Sequence, residues 1–246
     1  MKKSIFSLMF LILMSCEKVE NDTNLICTKD CSHIEGRIVT KDNLPVKDVE
    51  IVFRFQKNTG TYSLYSRIIA QTKTDVQGNY SMDFFLKEEE LGFSSGSFDL
   101  FIKQNSISES LFYPSNIYLF NSIYQIENRN VSLVHNVYLP TKKKIKIKLQ
   151  GFLPSVNDDW FEIRLYVPCG FDSPEVNTFY GNFHSYETES INKYRLTSES
   201  QIFEINAALN ETNYVVLVRR KNGIYSEEKI PILIDANSNS IFTYTY

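Results

Sequence analysis

The chain has 246 residues, of which 43% are hydrophobic and 22% charged, and its formal net charge is −3. That balance offers no basic field for nucleic acid, and the length suffices for one large core or two small ones. With 15 Tyr and 18 Phe the composition favours a pleated, half-buried surface and predicts an all-β protein, while 9 Gly and 7 Pro exclude collagen-like or low-complexity organisation.

The N-terminus reads as a processing signal. "MKK" supplies positive charge, and "SIFSLMFLILMS" is an apolar run too short to span a bilayer as a helix. "LMSC" then places Leu13, Ser15 and Cys16 in the order charge, apolar run, small residue, cysteine. This resembles the lipobox of bacterial lipoproteins, which implies a signal peptide over 1–15, cleavage before Cys16 and lipidation (diacylglycerol thioether plus an amide-linked acyl chain such as palmitate) of that residue. Cleavage removes Lys2 and Lys3 and no acid, leaving 24 basic and 29 acidic residues, or −5. More than one acyl chain gives stable anchoring. Glu17, rather than Asp, follows Cys16, which by the same resemblance implies the outer membrane of a Gram-negative bacterium.

Residues 16–33 are polar at first and lack periodicity, so they predict a lipidated tether. Three cysteines remain beyond Cys16: Cys27, Cys31 and Cys169. Export permits disulfides. "CTKDC" can close a small loop, or either of its cysteines can reach Cys169. Cys27, Cys31 and His33 also offer three zinc ligands, but no second Cys pair follows, so the expectation is no metal and no cofactor.

From Ile34 the pattern alternates with period two. "IEGRIVT", "VEIVFRFQ" and "YSLYSRIIAQTKT" read as strands. In "TKTDVQGNYSM", Asp75 and Gly78 bracket a tight turn before "NYSMDFFL" resumes alternation, since Asp caps turns and Gly accepts positive φ. "SFDLFIKQ", "SNIYLFN" and "NVSLVHNVYLP" supply further strands, with His135 inside the last, and Pro140 closes the unit. Gly36, Ile38, Pro45, Val46, Val49, Ile51, Thr74, Asp75, Gly78 and Tyr80 together resemble the carboxypeptidase regulatory-like, or transthyretin-like, β-sandwich family. The resemblance implies that 34–140 form such a domain, with an unusually long hairpin over 57–72.

Residues 141–246 predict a second β-sandwich, transthyretin-like or immunoglobulin-like. "KKKIKIKL" alternates Lys with apolar residues, a half-exposed strand; "QIFEINA", "NYVVLVRRK", "GIYSEEKIPILI" and "SIFTYTY" follow, with Asn-Gly marking a hairpin at 222–223. Only "LKEEELG" at 86–92 suggests a helical turn.

Three constellations bear on chemistry. His184 and Glu187 have the His-x-x-Glu spacing of a zinc carboxypeptidase, but no histidine follows and the remaining chain is too short for that catalytic domain. Asp235, Asn237 and Asn239 begin like a calcium loop, yet Ser240 and Tyr246 stand where Gly and Glu are needed, so a polar turn is expected. Residues 167–189 read as a long loop whose Phe171, Phe179, Tyr180, Phe183 and Tyr186, together with Trp160, could contact a ligand or else belong to an irregular edge strand. No nucleophilic triad or nucleotide-binding fingerprint is present, so no catalytic residues are assigned. The expected function is a non-catalytic, lipid-anchored envelope module that binds or scaffolds a protein or glycan partner. The alternatives are an accessory subunit or degenerate relative of a metallopeptidase or hydrolase, and a structural surface-fibre subunit that donates "SIFTYTY" to a neighbour.

Overall fold

A computed structural model describes residues 18–23, 26–60, 63–92, 96–108, 110–112, 120–123, 126–153, 159–177, 181–187, 199–237 and 241–246. Among the described residues sixteen strands run in chain order: β1 (Lys18–Asn21), β2 (Ser32–Val39), β3 (Glu50–Gly60), β4 (Ser63–Lys73), β5 (Asn79–Phe84), β6 (Ser97–Ile102), β7 (Phe120–Ile123) and β8 (Ser132–Val134) come first. They are followed by β9 (Val137–Tyr138), β10 (Lys142–Gln150), β11 (Trp160–Asn177), β12 (Gly181–Glu187), β13 (Ser200–Ala208), β14 (Glu211–Lys221), β15 (Ile224–Ile234) and β16 (Ile241–Thr245). The fold is all-β, built as two β-sandwich units. The described helical pieces are single 3-10 turns, one of them Glu88–Glu90.

Alternation puts apolar residues on one face of each strand, and two cores result. The first gathers residues from Ile34 to Leu139, with Phe53, Phe55, Phe84 and Phe98 at its centre. Phe53 and Phe98 stack with centroids 5.5 Å apart, and Phe55 tilts against Phe98 at 5.1 Å. The second core runs from Ile145 to Ile234, and Phe242, Tyr244 and Tyr246 pack against it.

The strands form a β1-β4-β3-β6-β7 sheet, a β13-β10-β16 sheet and a long β15-β14-β11-β9-β2-β5 sheet that passes through both units. Two residues make that passage. Val137 and Tyr138 pair parallel with Ile38 and Val39, and antiparallel with Phe171 and Gly170. β11 itself serves three partners along its length, β14 over Trp160–Tyr166, β9 at Gly170 and Phe171, and β12 from Tyr166 to Asn177. Side chains reinforce the joint: the Tyr138 hydroxyl donates to Glu211, which also faces Lys41 at 3.6 Å. Burial, and next the Glu211 contact, push the Tyr138 phenol far above its usual value. The Leu209 N–H donates to the Thr141 carbonyl at 2.8 Å.

The Asp75 turn forms as its chemistry predicts. Asp75 Oδ1 accepts from the Gln77 and Asn79 N–H groups at 2.8 and 2.9 Å, and Gly78 has φ +78°. A side chain at Gly78 would meet the Ile38 carbonyl oxygen at 2.5 Å.

Several expectations change. The tether is partly structured: β1 adds in parallel to the edge of β4, and β2 begins at Ser32. Of the pairings left open, Cys27 with Cys31 forms, and Cys169 is buried outside that disulfide. A disulfide consumes both thiolates, so the zinc alternative at Cys27, Cys31 and His33 loses two ligands, and His33 instead bonds Asp83 at 2.8 Å. The strand expected over "NVSLVHNVYLP" breaks in two, with His135 in the break. Gly36 explains the close approach there, because its missing Cβ would sit 1.9 Å from the His135 carbonyl oxygen. The terminal strand is not held out for a neighbour: β16 pairs parallel with β10 of its own chain.

Candidate functional site

The described part of 167–189 is extended ribbon, in line with the edge-strand alternative rather than a loop. β11 continues to Asn177 and β12 returns from Gly181, with pairing that shifts register between Pro168 and Asp172 and again before Asn177. Those irregularities absorb the Pro and Gly residues that suggest a loop. The backbones of Phe171, Phe183, His184, Tyr186 and Glu187 lie in these strands, while their side chains, and all of Phe179 and Tyr180, fall outside the described residues. Cys16 and Asn239 fall outside them too. Asp235 is in a polar turn, its carboxylate accepting from the Asn237 N–H at 2.8 Å.

Trp160 belongs to a surface that the register assembles. On one face of the β11-β14-β15 sheet, Trp160, Arg220 and Tyr225 stand side by side. Glu162, Val218 and Glu227 form the next row, then Arg164, Val216 and Lys229, then Tyr166, Tyr214 and Pro231. Four aromatic residues thus share a face with alternating acids and bases. Trp160 and Tyr225 meet edge to face at 6.3 Å. Lys229 Nζ sits 4.4 Å from the Tyr214 ring centroid, and Arg164 Nε donates to Glu162 at 2.8 Å. The Tyr225 hydroxyl donates to Glu227 at 2.8 Å, a bond that raises its pKa. Desolvation lowers that of Lys229. Val216 and Val218 are buried beneath these longer side chains.

The surface ends at the β14–β15 turn, where Asn222 (φ +52°) and Gly223 (φ +79°) take left-handed backbone and Asp159 accepts from the Asn222 N–H at 2.7 Å. Ile224 and Tyr225 beyond it are 72% and 57% exposed. Such rigid aromatic area can pack against a sugar ring or an apolar side chain, with Glu227 and Lys229 placed for hydrogen bonds. Tyr166, Tyr214, Tyr225, Glu162, Arg164 and Lys229 are absent from the sequence-derived candidates, although the alternation in "WFEIRLY", "NYVVLVRRK" and "IYSEEKI" places them on one face.

A second cluster joins β1 to the first unit. Arg67 on β4 has a side chain only 3% exposed. Its guanidinium forks onto Glu90, 1% exposed, through Nε–Oε1 at 2.6 Å and a second contact from Nη2, and it reaches Asp22 just beyond β1 at 2.9 Å. Burial opposes the cation, but the contacts with Glu90 and Asp22 outweigh it and raise the Arg67 pKa. Glu20 accepts from the Tyr65 hydroxyl at 2.8 Å and from Lys87 at 2.9 Å. A cavity of about 400 Å³ beside this cluster is lined by Ile26, Cys27, Ile69, Phe84 and Phe85 among others. Among the described residues no three His, Cys, Asp or Glu side chains gather as metal ligands, and no helix is long and apolar enough to cross a membrane.

No protein-family model and no curated protein matches the chain. Among solved structures it is similar to the Bacillus anthracis TIE protein at 11% identity and a TM-score of 0.30, covering 88% of this chain and 33% of that one. The shaft pilin SpaA of Lactobacillus rhamnosus GG (E269A/D295N double mutant) gives 11% identity and a TM-score of 0.30, over 87% of this chain and 97% of that one. The major pilin SpaD of Corynebacterium diphtheriae gives 9% identity and 0.30, over 84% and 65%. Likeness of this size fixes neither family nor function for the chain.

Proposed function

We propose that the chain is a non-catalytic structural component of a bacterial cell envelope, anchored in the outer membrane through a lipid on Cys16 and built as a subunit of a surface fibre or stalk. The observation that carries this reading is the joint. A β9 strand hydrogen-bonded on both edges links the two sandwiches, so tension or bending crosses backbone ladders rather than a free linker, as a load-transmitting element requires. Donation of the last strand is not part of the reading, since β16 completes its own unit.

A second reading, a binding module for a protein or glycan partner, is favoured by the aromatic face around Trp160 and Tyr225. A photo-crosslinking side chain at position 225 in intact cells separates the two. A ladder of adducts at multiples of the chain's own mass supports the fibre subunit. One adduct carrying a different, constant mass supports the binding module. Recovery of the chain as an uncrosslinked soluble protein overturns both.

A further inference from the structure

β1 fixes the direction in which the chain enters the fold. Its residues run parallel to β4, from Lys18 beside Tyr65 to Asn21 beside Ile68. Lys18, the first described residue, therefore stands at the end of β1 nearer the β3–β4 hairpin, where Gly60 pairs with Ser63. Lys18 is two positions from Cys16, with Glu17 alone between them, and two residues reach at most about 7 Å. The Arg67–Asp22 contact and the bond from the Asp22 N–H to the Ile68 carbonyl (2.9 Å) hold the C-terminal end of β1 in place.

The registers then give the position of everything else along this axis. β4 runs away from the hairpin end to the Asp75 turn, and β5 returns until Phe85 lies against Arg67 at 3.3 Å. β2 pairs antiparallel with β5, Ser32 beside Phe84 and Arg37 beside Asn79, so Ile38 and Val39 sit at the far end. There β9 hands over to Gly170 and Phe171. β11 is antiparallel to β9, so following it back from Phe171 to Trp160 leads farther away still. Eight residues of β4 and eleven of β11, at about 3.3 Å each, separate Tyr65 from Trp160 by up to roughly 60 Å.

We propose that the bilayer lies against the β3–β4 hairpin end of the first unit, and that the second unit stands at the opposite pole with the Trp160–Tyr225 face held away from the membrane. This orientation rests on the reading of Cys16 as the membrane attachment point. The occupant of the hairpin end is a lipid surface, because Cys16 is two positions from Lys18, which is paired beside Tyr65.

Trp160 is the sole tryptophan and serves as the distal probe. The chain from Cys16 onward keeps every described residue. Its Cys27 and Cys31 are bonded and Cys169 is buried, so Cys16 can be coupled selectively to maleimide lipid in phosphatidylcholine vesicles carrying nitroxide-headgroup lipid. Trp160 emission should be unchanged by the nitroxide. In a Trp160→Phe background, Leu64→Trp should lose half or more of its emission, as should Lys57→Trp on the neighbouring strand, which guards against misfolding at position 64. Equal quenching of Trp160, or no quenching at either hairpin position, overturns the proposal. The mass of the native Cys16 peptide from membranes decides the lipid separately: an unmodified peptide sinks the anchor reading while the vesicle result still decides the geometry.

Discussion

Replacing Arg67 with Met should loosen the N-terminal strand and weaken the first unit. Arg67 and Glu90 are almost fully buried and meet through a two-pronged contact, and Arg67 links this pair to Asp22. Without the guanidinium, Glu90 keeps the Lys87 N–H at 2.9 Å but loses its counter-charge. Leaving one buried partner uncompensated costs about 3–5 kcal/mol, whereas an exposed pair such as Lys144–Glu204 contributes about 0–1 kcal/mol. Against a typical total of about 5–15 kcal/mol, the loss is readily measured by urea unfolding. Hydrogen exchange supplies a local readout, because the Asp22 N–H bonded to Ile68 should lose protection. Arg67→Lys keeps the charge but not the fork, and should fall in between, at about 1.5–3 kcal/mol. A double Arg67→Met, Glu90→Leu variant should recover most of the loss, since apolar replacement of a buried pair is often neutral. An Arg67→Met protein within about 1 kcal/mol of the original, with protection at Asp22 intact, would refute the view of this cluster as a clamp.

Asn213→Ala should cost about 2–3 kcal/mol in urea unfolding, because the buried amide bonds both the N–H and the carbonyl of Ala208, at 2.8 and 2.9 Å. Gly36→Ala should cost about 3 kcal/mol or more, as its Cβ has no space before the His135 carbonyl; a thermal midpoint unchanged from the original would contradict the close approach. Reduction of Cys27–Cys31, which closes a loop with a sequence separation of 4, should lower stability by about 2 kcal/mol, read from unfolding with and without a reductant that leaves other bonds untouched. The Asp83 hydrogen bond, assisted by Glu35, raises the His33 pKa above its ordinary value of 6.5. The stabilisation is therefore full below pH 6.5 and fades as pH rises through the folded-state value. His33→Gln should flatten this part of the thermal midpoint's pH profile; an identical profile would sink the linkage.

Legibility in the sequence followed the range of the interaction. The Asp75 turn was readable because its side chain and Gly78 act within five residues. The two cores were readable because alternation is a local pattern, and the same pattern held the Trp160 face in plain view once strand register was known. β1 was not readable. Its four residues carry no periodicity, and they become a strand only because β4, some 45 positions later in the chain, presents an edge and Arg67 supplies the charge for Asp22. β9 was hidden for a similar reason, since two residues acquire meaning only from Ile38–Val39 and Gly170–Phe171. The segment after Val167 was legible only as two alternatives, because Pro168, Gly170 and Pro174 carry turn chemistry, which shifts of register accommodate within the edge ribbon.

The sharing of β9 also bears on how such a molecule can be divided or shuffled. A cut after residue 140 assigns every apolar core residue to one half or the other, so the halves look like exchangeable beads. Yet it strips Gly170 and Phe171 of their partner and leaves the second piece with a raw edge that invites pairing with any extended chain. Recombination at that point would hand a new neighbour a strand edge to cap, so the pair of sandwiches is inherited most safely as one indivisible block.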